Sequence, residues 1–274
     1  MFSLKYCRKI FRCLQGGFGL TEIYLHIGMQ RTGTTFLQQE IFPKIDVNLV
    51  NFEKAKLRYI ILNKSIFSEE IKSRIKTGQK NLISNENIYC DMWSNEDDRF
   101  KILDKIKLFY PNGKIIFGVR NKNELLISWY KKYVVNGGTC SFKEFKQKPF
   151  IKKLDYEPYI NRLLELFGEK NIYIYKYEDM KQDIHCFVEK LCNFIGVKPP
   201  EFKNIQHNVG YSLWQLKVSL ILNRFFRTKL NPNGLIPAGR HGNWLIYRIL
   251  FQSPYFPKFM RGKSVSEEDL EGLT

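Results

Sequence analysis

Short apolar runs alternate with longer stretches in which apolar residues recur at helical spacing, and this pattern predicts strands and helices in turn. The apolar runs predict strands over residues 23–27, 82–84, 115–119 and 172–177. Helical spacing predicts helices over residues 100–110, 184–195 and 213–227, around Ser128, and over most of 40–80. Because strands and helices alternate from residue 22 to residue 177, we predict an α/β fold with a doubly wound parallel sheet flanked by helices.

The segment between the first predicted strand and the first predicted helix combines glycines with basic and hydroxyl side chains. Residues 28–35 read GMQRTGTT, with Arg31 inside the turn and hydroxyls at Thr32, Thr34 and Thr35. Backbone N–H groups converge at such a strand–turn–helix junction, and the helix dipole adds partial positive charge. This segment therefore predicts a site for phosphate or sulfate. The alternative is an ordinary turn that binds no ligand.

The same segment departs at one position from the loop of nucleotide triphosphatases, which reads G-x-x-x-x-G-K-[ST]. Gly28 and Gly33 keep that spacing, but Thr34 stands at the lysine position and the cation lies three residues earlier, at Arg31. A small-molecule kinase would also need an aspartate at the end of a strand. The third predicted strand is instead followed directly by an arginine, Arg120. A kinase of this class is therefore the runner-up hypothesis.

Arg120 directly follows the predicted strand 115–119, and Ser128 lies eight residues later in a helical pattern. Parallel strands bind ligands beyond their carboxyl ends, so Arg120 should face the same crevice as the glycine-bearing turn. A guanidinium with a nearby hydroxyl suits a phosphate monoester. The alternatives are a surface arginine at a helix start and a serine that fills a helix.

Glu86 follows the predicted strand 82–84, which should neighbour the first strand, so its carboxylate is the candidate general base. The alternative is an acid that caps a helix N-terminus. His26 is a weaker candidate, because alternation along the first strand places it beside apolar neighbours. His185 lies in a predicted helix and is interpreted as a surface or packing histidine.

Three segments, in this order, resemble sulfotransferases that use 3′-phosphoadenosine 5′-phosphosulfate (PAPS), of the bacterial or carbohydrate type. Arg31 before Thr-Gly-Thr-Thr is similar to the family's 5′-phosphosulfate loop. Arg120-Asn with Ser128 resembles the motif that grips the 3′-phosphate, although Lys122 stands where the family usually has proline. Tyr177 before Glu-Asp-Met resembles the tyrosine near the adenine, the alternative being an aromatic that packs at a strand end.

The resemblance implies a P-loop-like fold and PAPS as co-substrate, without a metal ion. Residues 239–244 partly resemble a further loop that closes over PAPS, in which Arg240 would be a second ligand of the 3′-phosphate or simply a surface arginine. The PAPS-binding residues that the resemblance implies are Gln30, Arg31, Thr32, Gly33, Thr34, Thr35, Arg120, Ser128, Tyr177 and Arg240.

The resemblance also implies a mechanism and a class of acceptor. Arg31 would neutralise charge on the bridging oxygen, while Glu86 takes the proton from a hydroxyl or amine acceptor during in-line transfer. Similarity to bacterial-type sequences favours a carbohydrate or glycolipid, on which aromatic side chains could stack.

Composition adds a strong positive charge. The 274 residues carry 44 Lys and Arg against 27 Asp and Glu, a formal net charge of +17. Such an excess favours a polyanionic partner such as PAPS, an anionic glycan or a membrane surface. The basic residues are spread along the chain, so no nucleic-acid partner is predicted. A non-catalytic protein that binds polyanions is the third hypothesis.

At 274 residues, the chain is long enough to bury a full hydrophobic core as one domain. We predict a basic leader over residues 1–20, a single sulfotransferase-like domain over 21–262 and a polar acidic tail over 263–274. The sequence contains no run of 18 or more apolar residues, so we predict no membrane span. The leader alternates basic and apolar residues and could contact the inner membrane surface. The alternative is that it is a loosely packed segment. Six cysteines without metal-ligand spacing indicate reduced thiols and a cytoplasmic protein.

Overall fold

A computed structural model describes residues 21–50, 73–203, 211–237 and 265–273. Its described residues group into two compact units. The first unit comprises the described residues up to Arg120 together with those from Tyr156 to 203. The second comprises residues 121–155 and the described residues from 211 onward.

The first unit is built on a parallel sheet. Its strands are β1 (Glu22–His26), β2 (Asn48–Val50), β3 (Lys80–Ser84), β4 (Lys114–Val119) and β5 (Ile172–Lys176). They lie in the order β2-β3-β1-β4-β5, and every neighbouring pair is parallel. The predicted α/β fold class with a parallel sheet is therefore confirmed.

The described α-helices are distributed over both units. In chain order they are α1 (Thr34–Phe36), α2 (Arg99–Phe109), α3 (Lys122–Val135), α4 (Phe142–Lys146), α5 (Glu157–Phe167), α6 (Tyr177–Gln182), α7 (Ile184–Ile195), α8 (Leu213–Asn223) and α9 (Glu267–Glu271). After α1 the chain continues through a π-helical segment, Leu37–Ile41, and a 3₁₀ turn, Phe42–Lys44. No helix in the described ranges is long and apolar enough to cross a bilayer.

Side chains from alternate strand positions pack against helices on both faces of the sheet, because successive residues of a strand point to opposite faces. On one face, Tyr24 joins a core that includes Leu37 of the π-helical segment and Leu191 of α7. On the other face, the Phe117 ring lies 5.5 Å from the Tyr89 ring and 5.3 Å from the Tyr159 ring of α5. This arrangement confirms the predicted doubly wound topology.

The second unit has its own aromatic core. Tyr130 of α3 packs against Phe142 and Phe145 of α4, and all three side chains are buried. A segment with two glycines, Gly137 and Gly138, lies between these two helices. Asn223 at the end of α8 donates to the backbone oxygens of Val134 (2.8 Å) and Gly138 (2.7 Å), which fixes α8 beside α3.

The predicted elements are wrong at residues 48–50, at the end of β5 and at the end of α8. The segment 48–50, predicted within a helical region, is strand β2 and pairs with β3. Strand β5 ends one residue early, and Tyr177 opens α6, where acidic residues in the first turn favour a helix. Helix α8 ends at Asn223 rather than at residue 227, because Asn231 donates to the Asn223 carbonyl (2.8 Å) and the chain turns into β6 (Phe226–Arg227), which pairs with β7 (Ile236–Pro237).

Replacing Phe117 with alanine should remove the ring that joins the sheet to Tyr89 and Tyr159. Phe117→Ala should lower the free energy of unfolding by about 3–5 kcal/mol, because a fully buried ring is lost and a cavity is left. Urea denaturation would measure the change. Leu108→Ala is the control, since Leu108 is 63% exposed and should change stability by less than about 0.5 kcal/mol. Equal effects of the two substitutions would contradict the assignment of this core.

Candidate active site

The central position of β1 brings three chain segments to one edge of the sheet. His26, the last residue of β1, pairs with Ser84 of β3 on one side and with Ile116 of β4 on the other. The chain turns back across the sheet at β1, so this is the switch point where α/β sheets open a crevice beyond their strands. The turn after β1, Glu86 after β3 and Arg120 after β4 all lie at this edge.

The turn after β1, residues 28–33, has a backbone that few residues tolerate; we call it the anion loop. Arg31 has φ +74° and Gly33 has φ +85°, both in the left-handed region. A β-carbon at Gly28 would lie 2.9 Å from the His26 Nε2 atom. Both glycines are therefore required by the path of the loop, whereas Arg31 is held in a conformation that is strained for a residue with a side chain.

Two side chains of the anion loop hold it in place. Gln30 donates from Nε2 to the Cys90 backbone oxygen (2.7 Å) and to Asn87 Oδ1 (3.3 Å). The Thr32 hydroxyl, fully buried, donates to the Met29 backbone oxygen at 2.6 Å. Both were predicted to bind PAPS, and both use their side chains to fix the loop. Gln30 and Thr32 can therefore donate hydrogen bonds to a ligand from their backbone N–H groups.

Two guanidinium groups gather at the loop. Arg120 donates from Nη1 to the Arg31 backbone oxygen at 3.2 Å, and its Cζ atom lies 4.6 Å from the centre of the Tyr177 ring. Burial lowers the pKa of the Arg31 guanidinium, the charge of Arg120 lowers it further, and Tyr177 opposes the shift. Since the two positive charges disfavour each other, an anion bound between them would stabilise both.

Glu86 opens a 3₁₀ turn, Glu86–Ile88, and its carboxylate accepts a hydrogen bond from Gln38 Nε2 at 2.9 Å. The side chain of Asn85, rather than that of Glu86, caps the turn by accepting from the Asn87 N–H at 2.9 Å. Glu86 itself is the acidic residue of the first turn, where the alternative interpretation places it. The carboxylate lies at the same sheet edge as the anion loop.

His26 has polar contacts that the sequence did not predict. Its ring is fully buried and packs against the apolar Phe42 ring, as expected, with centroids 5.1 Å apart. However, Nδ1 lies 2.7 Å from Ser84 Oγ and Nε2 lies 3.3 Å from the Tyr175 hydroxyl. Burial lowers the pKa of His26 to about 4, while the charge of Glu86 opposes the shift. The ring is therefore neutral at pH 7.

The remaining predicted residues are placed as follows. Gly33 packs beside α6, since a β-carbon there would lie 3.4 Å from the Tyr177 ring and 2.4 Å from Met180 Cε. Thr34, buried, and Thr35, half-buried, begin α1. Ser128 is buried in α3 of the second unit. Arg240 lies outside the described residues.

No group of three or more His, Cys, Asp or Glu side chains in the described part of the chain is placed to hold a metal ion. The His185 ring packs against Phe202, with centroids 4.9 Å apart, which fits the interpretation of a packing histidine.

Comparison with known proteins identifies related chains. A family model described as Sulfotransferase domain matches residues 24–244. Sulfotransferase 2A1 of Rattus norvegicus is 27% identical over 173 residues, covering 57% of this chain and 58% of that protein. Sulfotransferase 4A1 of Mus musculus is 31% identical over 94 residues, covering 31% of this chain and 32% of that protein. The crystal structure of a sulfotransferase from Alicyclobacillus acidocaldarius superposes with a TM-score of 0.52 at 16% identity, covering 74% of this chain and 92% of that one.

These matches differ in extent. The chain covers 58% of the rat protein and 32% of the mouse protein, less than two thirds of each relative's length. The solved structure, at 16% identity, shows likeness of fold. The family model extends across both compact units, as expected for the predicted single domain.

Acid should destabilise the protein through His26. The unfolded chain binds a proton at His26 near its ordinary pKa of 6.5, whereas the folded protein does so only near the lowered pKa of about 4. The unfolded state binds more protons between these values, so the contribution of His26 is fully present above pH 6.5 and is lost as the pH falls toward 4. The loss should reach about 3 kcal/mol.

Urea denaturation from pH 7.5 to pH 4.5 would measure this loss, and NMR titration of the imidazole would report His26 itself. A His26 ring that titrates near its ordinary pKa of 6.5 would contradict the assignment.

Proposed function

Because this chain belongs to the sulfotransferase domain family, we propose that it transfers a sulfuryl group from PAPS to a hydroxyl or amine acceptor by in-line displacement. One observation carries the proposal. Two guanidinium groups, of Arg31 and Arg120, and the carboxylate of Glu86 lie at the carboxyl ends of three adjacent strands. This combination supplies anion binding and a proton acceptor at one edge of the sheet.

The residues of the anion loop and its neighbours fit PAPS. Backbone N–H groups of residues 31–35 would hold the 5′-phosphosulfate, with Arg31 as countercharge. Arg120 would bind the 3′-phosphate, for which Ser128 and Arg240 are the further proposed ligands. The Tyr177 ring, flanked by Arg120 and by Lys181 (Nζ 4.9 Å from its centre), offers a flat surface to the adenine.

Two groups of the chain, Glu86 and Arg31, share the chemistry. PAPS supplies an activated sulfuryl group. Glu86 accepts the acceptor's proton as the new S–O bond forms and the S–O bond to the phosphate breaks. Arg31 neutralises the charge that grows on the departing phosphate oxygen, an effect worth about 3 kcal/mol for a single preorganised donor.

The anion loop favours PAPS over ATP. Thr34 occupies the position at which a triphosphate loop needs lysine, and β4 ends before an arginine rather than an aspartate. Arg31 provides the countercharge without a metal ion.

The acceptor and the compartment are further parts of the proposal. A net charge of +17 and abundant aromatic residues support a carbohydrate or glycolipid acceptor. The thiols of Cys90, Cys140, Cys186 and Cys192 are free, which supports a cytoplasmic location.

Calorimetric titration with adenosine 3′,5′-bisphosphate (PAP), the product of PAPS, tests the proposal directly. The protein should bind PAP without a metal ion and in preference to Mg·ATP. Arg120→Ala should weaken PAP binding about 10- to 100-fold, because a charge-assisted hydrogen bond to phosphate is lost. Arg162→Ala is the matched control, since Arg162 lies on the surface of α5 and bonds Asp104 at 2.7 Å. It should bind PAP as the wild type does.

The other outcomes separate the competing hypotheses. Preference for Mg·ATP would favour a kinase, and binding of neither ligand would favour a non-catalytic polyanion-binding protein. If the Arg120→Ala and Arg162→Ala variants bound PAP with equal affinity, Arg120 would not be a PAP ligand.

A further inference from the structure

Four side chains form one continuous chain of hydrogen bonds that starts at Glu86 and passes beside the anion loop; we call them the relay. Its members are Gln38, Ser84, His26 and Tyr175. Gln38 Nε2 lies 2.9 Å from Glu86 Oε2 and 3.1 Å from Ser84 Oγ. His26 lies 2.7 Å from Ser84 Oγ through Nδ1 and 3.3 Å from the Tyr175 hydroxyl through Nε2. The backbone of the anion loop passes close to the same ring, since a β-carbon at Gly28 would lie 2.9 Å from Nε2.

The direction of the relay follows from its Glu86 end. A carboxylate can only accept, so one N–H of the Gln38 amide donates to Glu86 and the other donates to Ser84 Oγ. The single proton of the Ser84 hydroxyl is then donated to His26 Nδ1, so the ring proton lies on Nε2 and is donated to the Tyr175 oxygen.

The donors therefore point from Gln38 toward Tyr175, except the one that holds Glu86. A protonated His26 would donate from both ring nitrogens and would break this order.

We propose that Gln38, Ser84, His26 and Tyr175 are positioning residues, which orient the Glu86 carboxylate and link its orientation to occupancy of the anion loop. The inference rests on the proposed function, since it requires an anion at the loop and a base at Glu86. The His26 ring lies against the loop backbone at Gly28, and hydrogen bonds in series polarise one another, so a change in the loop is felt along the relay. Gln38 lies in a π-helical segment, a distortion that occurs frequently at functional sites.

The imidazole nitrogens give a direct readout of the relay. The chain has four histidines, so ¹H–¹⁵N spectra of the rings are simple, and His26 can be assigned by replacing the other three in turn. At pH 7 His26 should carry its proton on Nε2, and addition of PAP should shift its ring signals. A proton on Nδ1 would reverse the relay and overturn the proposal.

Two tyrosines on β5 provide a matched pair of variants. Tyr175→Phe removes a single hydroxyl from the relay, whereas Tyr173→Phe removes one from a neighbouring ring, with centroids 6.4 Å apart, that is outside the relay. Tyr175→Phe removes the acceptor of the Nε2 proton, so the ring signals of His26 in the ligand-free protein should change in Tyr175→Phe and stay in place in Tyr173→Phe. Both variants should still bind PAP. Unchanged signals in Tyr175→Phe would overturn the place of Tyr175 in the relay, and His26 signals that PAP does not shift in the wild type would overturn the link to the loop.

The Glu86 end is tested by the pH dependence of turnover, measured as release of PAP from PAPS with water as acceptor. Gln38→Leu removes a hydrogen bond to the carboxylate, so the acid limb should move to higher pH while KM for PAPS is unchanged. Gln39→Leu is the control, because Gln39 is exposed. An acid limb that stays in place in Gln38→Leu would overturn the positioning role.

Failure of the proposed function would look different. If PAP did not bind the wild-type protein, the function and the link to the loop would both fall. The tautomer of His26 in the ligand-free protein would still decide the direction of the relay.

Discussion

The register of β1 with its two neighbours is the constraint from which the site follows. Leu25 pairs with Ile83 on one side and with Ile115 on the other, so apolar burial holds β1 in place between β3 and β4. A slip of one residue would turn Tyr24 and His26 to the opposite face. The same packing that buries Tyr24 therefore aims His26 at Ser84, and aligns the three strand ends that deliver the anion loop, Glu86 and Arg120.

A buried polar network inside this core restricts how the side chains can pack, and it keeps the site preformed. His26 is fully buried in the central strand, where an unpaired ring nitrogen would destabilise the fold, and Ser84 and Tyr175 provide the partners it needs. Gln30 and Thr32 fix the anion loop from within the protein. A loop held in this way loses little conformational entropy when a ligand binds, which is the advantage of preorganisation.

The apolar runs predicted four strands to within two residues at either end, because burial on both faces leaves a continuous hydrophobic signal. Strand β2 was missed because three residues that include Asn48 carry no such signal. The motifs predicted the family, and this prediction is confirmed. They also predicted the strand-end residues of the site, since parallel strands share one edge. The relay could not be predicted: alternation gives the face on which His26 lies, but not the polar atoms that neighbouring strands bring to it.

The left-handed backbone of Arg31 has a consequence for the protein's evolution. A residue with a side chain at φ +74° is less stable there than glycine, by roughly 1 kcal/mol. Glycine at position 31 would therefore relieve the turn and remove its cation in a single step. Selection for stability alone would favour glycine at this position, so an arginine here indicates a selective pressure other than stability.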